Sequence, residues 1–271
     1  MNARTACTPG LAAMMCLALS ACGTADPARA DDAAPKIADA VTFVAKPGLS
    51  PTAEALPRLV GDAPQIATIN ADLDKIDALD ASNLADCDGG EWNRSILKPM
   101  TGPGYVTFWI AQDWYCGGAY PATSQTAVTY ALATGRRIDW ADAIPGLNLV
   151  YDSLEGLPDG YVVNVHSATL ARWYGPKMLA TPDPEWVEQC ASAFEPGMLV
   201  DQGFRMWADA ETGGVSVAPD FPHVSQACAE TATMTAADLR GFNADPKLIE
   251  AIETAHAAPN PGDAEQAEPG L

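Results

Sequence analysis

The side chains able to do acid–base or covalent chemistry in this 271-residue chain are three histidines, seven cysteines and 35 carboxylates, set against 15 basic residues. Histidine changes charge near neutrality, so His166, His223 and His256 are the first places to look for a general base. None stands in a local motif. His256 lies close to a C-terminal end expected to fray, and His166 and His223 read as structural or surface residues unless a carboxylate is brought against them. With 35 acids, neighbours such as Asp139 and Asp142 arise by chance. There is no Gly-x-Ser-x-Gly elbow, phosphate-cradling glycine loop, dinucleotide fingerprint or His-Glu-x-x-His, which excludes the enzymes that advertise themselves locally. The expectation is a non-enzymatic protein without catalytic residues, metal or cofactor.

The acidic run Asp86-Cys87-Asp88-Gly89-Gly90-Glu91 looks at first like a calcium loop. Gly90 occupies its third acidic position and the Glu required further on is missing, so a solvated turn is the better reading. Zinc has no support either, because no Cys-x-x-Cys pair exists and histidine is scarce.

Cysteine chemistry depends on compartment, and the N-terminus speaks to that. A basic residue at Arg4 precedes an apolar run from Leu11 to Leu19, the pattern of an export signal, and the run falls short of the ~20 residues that span a bilayer. It closes on Leu19-Ser20-Ala21-Cys22, which resembles the bacterial lipobox, in which the cysteine becomes the lipid-bearing N-terminus. Residues 1–21 are therefore expected to be a lipoprotein signal and Cys22 the lipid attachment site. Gly23 rather than Asp follows, so nothing argues for inner-membrane retention; the expected address is the outer membrane, periplasmic face. Residues 22–39, rich in Ala, Asp, Pro and Arg without apolar periodicity, read as a flexible tether, 40–256 as one folded domain, and 257–271 as a disordered acidic tail.

Without residues 1–21, which hold only Arg4 among the charged residues, the balance is 14 basic against 35 acidic. That disfavours nucleic acid and anionic membrane surfaces, and suits a cationic partner as well as plain solubility. Cys7 and Cys16 fall in the signal and Cys22 carries lipid, which leaves Cys87, Cys116, Cys190 and Cys228 for disulfides. Four cysteines allow three connectivities, and sequence does not choose among them. The pairing expected is nearest neighbours, Cys87 with Cys116 and Cys190 with Cys228, closing loops worth about 3–4 kcal/mol each in the chain-entropy model.

The elements that must position these groups follow from periodicity. Val41–Val44 is a short strand. Asp62 is set to cap a helix with Pro64 in its first turn, and Ile66, Ile69, Leu73, Ile76 and Leu79 make its buried stripe, with Asp72, Asp74, Lys75 and Asp77 on the other faces. Trp92–Leu97 reads as a strand closed by Pro99. Tyr105–Tyr115 is apolar on both alternating faces, as a central strand would be, and Thr126–Leu132 alternates beside it. Ile138–Trp140 begins another strand or edge. Tyr161–Val163 reads as a strand, Ser167, Asp183, Thr235 and Asp245 as helix caps, Phe204–Asp209 with Val215–Val217 as a hairpin, and His223–Thr233 as mostly extended. The class is α+β: an antiparallel sheet with helices packed on it, in a single domain. Aromatics flanking the loop between the two long strands, Trp114, Tyr115 and Tyr120, are the binding candidates, with plain core as the rival reading.

That loop, Cys116-Gly117-Gly118-Ala119-Tyr120-Pro121, lies between Tyr115 and the alternating strand that ends in Thr134-Gly135 and Ile138-Asp139-Trp140. Together with the amphipathic helix carrying Ile69-Asn70, it resembles the extracytoplasmic RsiV-like family, domain of unknown function 3298, over residues 60–145. The resemblance implies helices against an antiparallel sheet outside the cytoplasm. One branch of the family binds lysozyme, and another accompanies a polysaccharide deacetylase domain. Tyr120 stands where the family usually has His, and no transmembrane helix or cytoplasmic anti-sigma segment is present. The expectation is thus an envelope lipoprotein that binds a cationic protein such as lysozyme; the alternative is an enzyme, or enzyme-associated module, acting on cell-wall glycan.

Overall fold

The computed structural model describes residues 41–258, apart from Asp88 and Pro182. The signal at 1–21, Cys22, the tether through residue 39 and the end from 259 lie outside the described residues.

β1 (Phe43–Val44) and β2 (Arg58–Leu59) pair as a two-stranded antiparallel ribbon. Helix α1 (Pro64–Ala85) begins at Ala63, whose side chain cannot cap it; Pro64 occupies the first turn, where a missing N–H costs nothing, and the cap expected of Asp62 is not made. After it come β3 (Glu91–Thr101), β4 (Tyr105–Tyr115), β5 (Ala122–Ala131) and β6 (Arg136–Arg137), hydrogen-bonded in that order as an antiparallel meander. β3 runs through Pro99 instead of stopping there. It is an edge strand, and the register shifts between Leu97 and Met100, the two circumstances in which a strand tolerates proline.

Helix α2 (Trp140–Ala143) replaces the strand expected at Ile138–Trp140, because Asp139 Oδ1 accepts from Ala141 N at 2.9 Å and so caps a turn. β7 (Val150–Tyr151) and β8 (Val165–His166) bracket a long loop, and Tyr161–Val163, expected as a strand, belongs to that loop. Then follow α3 (Ala168–Leu179), α4 (Pro184–Cys190), α5 (Pro196–Val200), β9 (Phe204–Asp209), β10 (Gly214–Pro219), a 3-10 turn at His223–Cys228 where extended chain was expected, β11 (Ala232–Met234), α6 (Ala236–Gly241) and α7 (Pro246–Ala257). The caps expected of Ser167, Asp183, Thr235 and Asp245 are all made by side-chain oxygens.

The fold is α+β, with two main antiparallel sheets rather than one. The second has the order β11-β10-β9-β8-β7. Alternation along the strands builds four layers. Val106, Phe108 and Ile110 of β4 join Ile69, Leu73 and Ile76 of α1 in one core. From the opposite side of that sheet, Trp109 and Ala127 meet Trp207 and Ala218 of the second sheet, with the Trp109 and Trp207 ring centroids 4.3 Å apart. Met206, Ala208, Val215 and Val217 point away from that contact into the largest core, under Leu170 and Tyr174 of α3 and Leu248 and Ile252 of α7. β4 is thus covered on both faces, as its doubly apolar pattern predicts. The disulfides are Cys87–Cys116 and Cys190–Cys228, with Cα atoms 4.8 and 5.5 Å apart, in the expected pairing.

Candidate functional site

Polar residues replace apolar ones along β4 and β5 where α1 stops covering them. Val106, Phe108 and Ile110 give way to Gln112 and Trp114 on the same face, and Val128 on β5 gives way to Thr126 and Ser124, whose partners on β4 are Ile110 and Gln112. The Cys87–Cys116 bridge ties the end of α1 to the end of β4 at this point. With the loop at Pro158–Asn164 as a further wall and Asp220 beyond it, these residues enclose a groove of about 560 Å³. That size is ordinary for a ligand cleft.

Among the described residues, three carboxylates, Asp80, Asp86 and Asp220, line the groove, together with the amides of Asn83, Gln112, Gln125 and Asn164, and no basic side chain lines it. Trp92 and Trp114, partners across β3 and β4, stack with centroids 4.9 Å apart and planes 14° apart, and both reach the groove. Trp92 is buried and Trp114 half-buried, so Trp114 supplies the accessible aromatic surface.

Behind the groove stands a ladder of alternating charge that the sequence reading missed. Lys46 meets Asp74 at 2.8 Å; Asp74 and Asp77 both meet Arg58, at 2.6 and 2.7 Å; and Arg94 reaches Asp77 at 3.0 Å and Asp80 at 2.8 Å. Gln112 Nε2 donates to Asp80 Oδ2 at 2.9 Å. The Arg94 Nε contact to Asp80 is a charge contact off the N–H direction rather than a well-aligned hydrogen bond. Burial pushes the Asp80 carboxyl above its ordinary range, and the Arg94 charge and the Gln112 bond only partly offset that. A raised carboxyl in a cleft is where a proton donor is sought. Here Oδ2 is held by both Gln112 and Arg94, which ties the carboxyl into the ladder as a structural group. Asp77, expected on an exposed face of α1, is buried, because Asp74, Asp77 and Asp80 recur every third residue and share the face turned to Arg58 and Arg94. That spacing is the signal by which the ladder could have been found.

Of the three aromatic binding candidates, Trp114 lines this groove. Tyr115 points from the other face of β4 and donates its hydroxyl to Gly118 O at 2.9 Å, steadying the loop, where Gly117 and Gly118 hold φ of +88° and +108°. Tyr120 is 76% exposed and belongs to a neighbouring hollow of about 410 Å³ with Arg205, Asp220 and His223. Its ring centroid lies 6.3 Å from that of His223. Asp220, common to both hollows, binds Arg205 Nη1 at 3.0 Å and Asn164 Nδ2 at 2.9 Å.

His166 has the carboxylate that the sequence reading asked for. Its Nε2 lies 2.7 Å from Asp152 Oδ1, half-exposed on the β7–β8 hairpin and outside the lining of the groove. His256 Nδ1 is taken up by Ala210 O at 2.8 Å. Among the described residues no cluster of three or more His, Cys, Asp or Glu is arranged to hold a metal ion, and no helix is long and apolar enough to cross a membrane.

No protein-family model matches the chain, and no curated protein does. Among solved structures, the chain is similar to a member of the DUF3298 family from Bacteroides fragilis, with 12% identity over 72% of this chain and 75% of that one and a TM-score of 0.40.

Proposed function

We propose that this protein is an envelope lipoprotein, anchored through Cys22 to the outer membrane on its periplasmic face, whose folded domain binds a cationic protein without catalysing a reaction. The observation that carries the reading is the groove lining, which among the described residues has three carboxylates, an accessible Trp114 and no basic side chain. Asp80 and Asp220 are balanced by Arg94 and Arg205, while Asp86 has no ion pair among the described residues and is free to meet a lysine or arginine. An indole face beside it adds a cation–π surface for the same group. The excess of 35 acidic over 14 basic residues from Cys22 onward draws a basic partner in from a distance.

Lysozyme is the cationic protein to test. The chain from Cys22 onward, in detergent, is mixed with lysozyme across a salt series. Retention at low salt that fades as salt is raised supports the reading, and Asp86→Asn or Trp114→Ala should weaken it severalfold. No retention at the lowest salt overturns it.

The pair His166–Asp152, 2.7 Å apart, favours a second reading, an enzyme or enzyme-associated module acting on cell-wall glycan. Incubation with purified peptidoglycan decides that one. Release of reducing ends that disappears in His166→Ala supports it, and no release, or release unchanged in the variant, removes it.

A further inference from the structure

Main-chain groups are left over along one side of β5. Its other side pairs with β4 over the whole strand, while β6 covers it only at Tyr130 and Ala131. Three contacts fix which residues turn outward. Ile138 N donates to Thr129 O at 2.8 Å and Arg205 Nη1 to Gln125 O at 3.3 Å, neither donor belonging to β4. The Thr107 and Thr129 hydroxyls meet at 2.9 Å, as side chains do in an antiparallel pair that exchanges no main-chain bonds. Gln125, Ala127 and Thr129 therefore aim their N–H and C=O away from β4. Among the described residues nothing accepts from the N–H of Gln125 or Ala127, and nothing donates to the Ala127 carbonyl. Ala127 is only 8% exposed, and buried main-chain groups are nearly always paired.

A cavity of about 390 Å³ runs along this edge. Gln125 to Thr129, roughly 13 Å of strand, line one wall, and Val162 to Val165 line another. The Ala127 side chain packs against Trp207 and Ala218, so its main chain is what it presents to the cavity. On the facing wall the main-chain groups of Val162 and Val163 also have no partner among the described residues. Leu154, 61% exposed, lines the cavity as well and gives it a way to solvent. The charged lining residues ask for no counter-charge. Arg137 meets Asp72 at 2.7 Å, Arg205 meets Asp220 at 3.0 Å, Asp152 meets His166 at 2.7 Å, and Asp139 Oδ1 accepts from Ala141 N and the Tyr151 hydroxyl.

We propose that this edge takes an extended, uncharged peptide segment of a partner protein, which adds a strand to β5 along Gln125–Thr129. A peptide brings donors and acceptors at the spacing of the edge, and its other side meets Val162 and Val163. An apolar solute leaves the Ala127 groups unmet, and an ion finds no free counter-charge.

The test is a titration of the amide-labelled chain from Cys22 onward, in detergent, with acetyl-Thr-Val-Thr-Val-Thr-amide, a neutral strand former. Saturable shifts centred on the Ala127 amide are expected, with its hydrogen exchange slowed. Two analogues N-methylated on alternate amides, one in each phase, keep the side chains and lose donors. At least one of them should bind about tenfold more weakly, the worth of one hydrogen bond. Gln125→Pro removes an outward N–H and leaves the β4 ladder whole, which is where an edge strand tolerates proline, and it should weaken binding by a similar factor. The proposal is overturned by no saturable shift at millimolar peptide, by both analogues binding as tightly as the parent, or by undiminished binding to the folded variant. Should Gln125→Pro not fold, the analogues decide alone. No lysozyme enters these readouts, so the result stands or falls apart from the groove.

Discussion

Replacing Arg94 by Met should be among the most damaging single changes in the molecule. The Arg94 side chain is 0% exposed and faces Asp77 at 3.0 Å and Asp80 at 2.8 Å. It also donates to the Glu54 carbonyl, while its backbone pairs with the strand-like segment at Thr52–Glu54, so one residue joins α1, β3 and the chain that precedes β2. Met fills much of the same volume, so the loss comes from charge left unpaired rather than from a hole. Removing one member of a buried ion pair costs about 3–5 kcal/mol. Asp77 keeps Arg58 at 2.7 Å and the Leu56 N–H at 3.1 Å, which confines the stranded charge chiefly to Asp80 and places the expectation at about 3–4 kcal/mol. For a domain of this size that is a fall in Tm of about 6–16 °C.

The deficit must also depend on pH, with a definite sign. Burial already raises the Asp80 carboxyl, and the variant loses the Arg94 charge that opposes it. A carboxyl raised on folding weakens the fold only once it is ionised. The penalty is absent below the unfolded value of 3.8 and grows as pH rises through the folded one. Urea unfolding at pH 4 and pH 7 measures this, with the denaturant slope checked for constancy. Arg94→Lys, which keeps the charge but cannot face two carboxylates and a carbonyl together, should lose roughly half as much. A loss under ~1 kcal/mol, or a deficit equal at both pH values, would refute the reasoning.

Replacing Cys190 and Cys228 together by serine opens a loop of 38 residues and should cost about 4 kcal/mol, read as a drop in urea midpoint. Gly160→Val should destabilise by about 1–3 kcal/mol or more, because the residue holds a φ of +89° and a side chain there would run into the Lys75 carbonyl of α1. The same variant moves a wall of the groove, so any lysozyme binding should weaken with it. Burial pushes Asp238 up, but bonds from Trp173 at 3.1 Å and the Thr235 hydroxyl at 2.9 Å and the Lys177 charge outweigh that and hold it below its ordinary range. Its contribution is therefore full above 3.8 and lost as pH falls through the folded value. The urea-midpoint gap between wild type and Asp238→Asn should be wide at pH 7 and close in acid.

Local rules that need only a few neighbouring residues carried over well. Ser167, Asp183, Thr235 and Asp245 cap helices because a short side-chain oxygen reaches an N–H two or three residues on, whatever the rest of the fold does. The doubly apolar Tyr105–Tyr115 likewise declares itself within its own residues, since both alternating sets are apolar and both faces are covered. Failures fell where a distant partner decides. Pro99 is tolerated because β3 lies at an edge, and Asp77 is buried because Arg58 and Arg94 come to it from other parts of the chain. The candidate site was legible in one residue, Trp114. Its carboxylates are scattered at positions 80, 86 and 220, and only the fold gathers them.

By itself, the sequence determined the α+β class, the long helix and the two strands that form the heart of the first sheet, because hydrophobic periodicity is written residue by residue. It also marked the export and lipidation pattern at residues 1–22, which stays an expectation read from sequence. Tertiary structure decided that there are two sheets back to back, which disulfides form, and that Arg58, Arg94 and Arg205 lie buried against carboxylates. The reason is physical. A charge can be buried only if a partner arrives from elsewhere in the chain, so the acceptable place for an arginine is set by contacts across tens of residues, which no local pattern records.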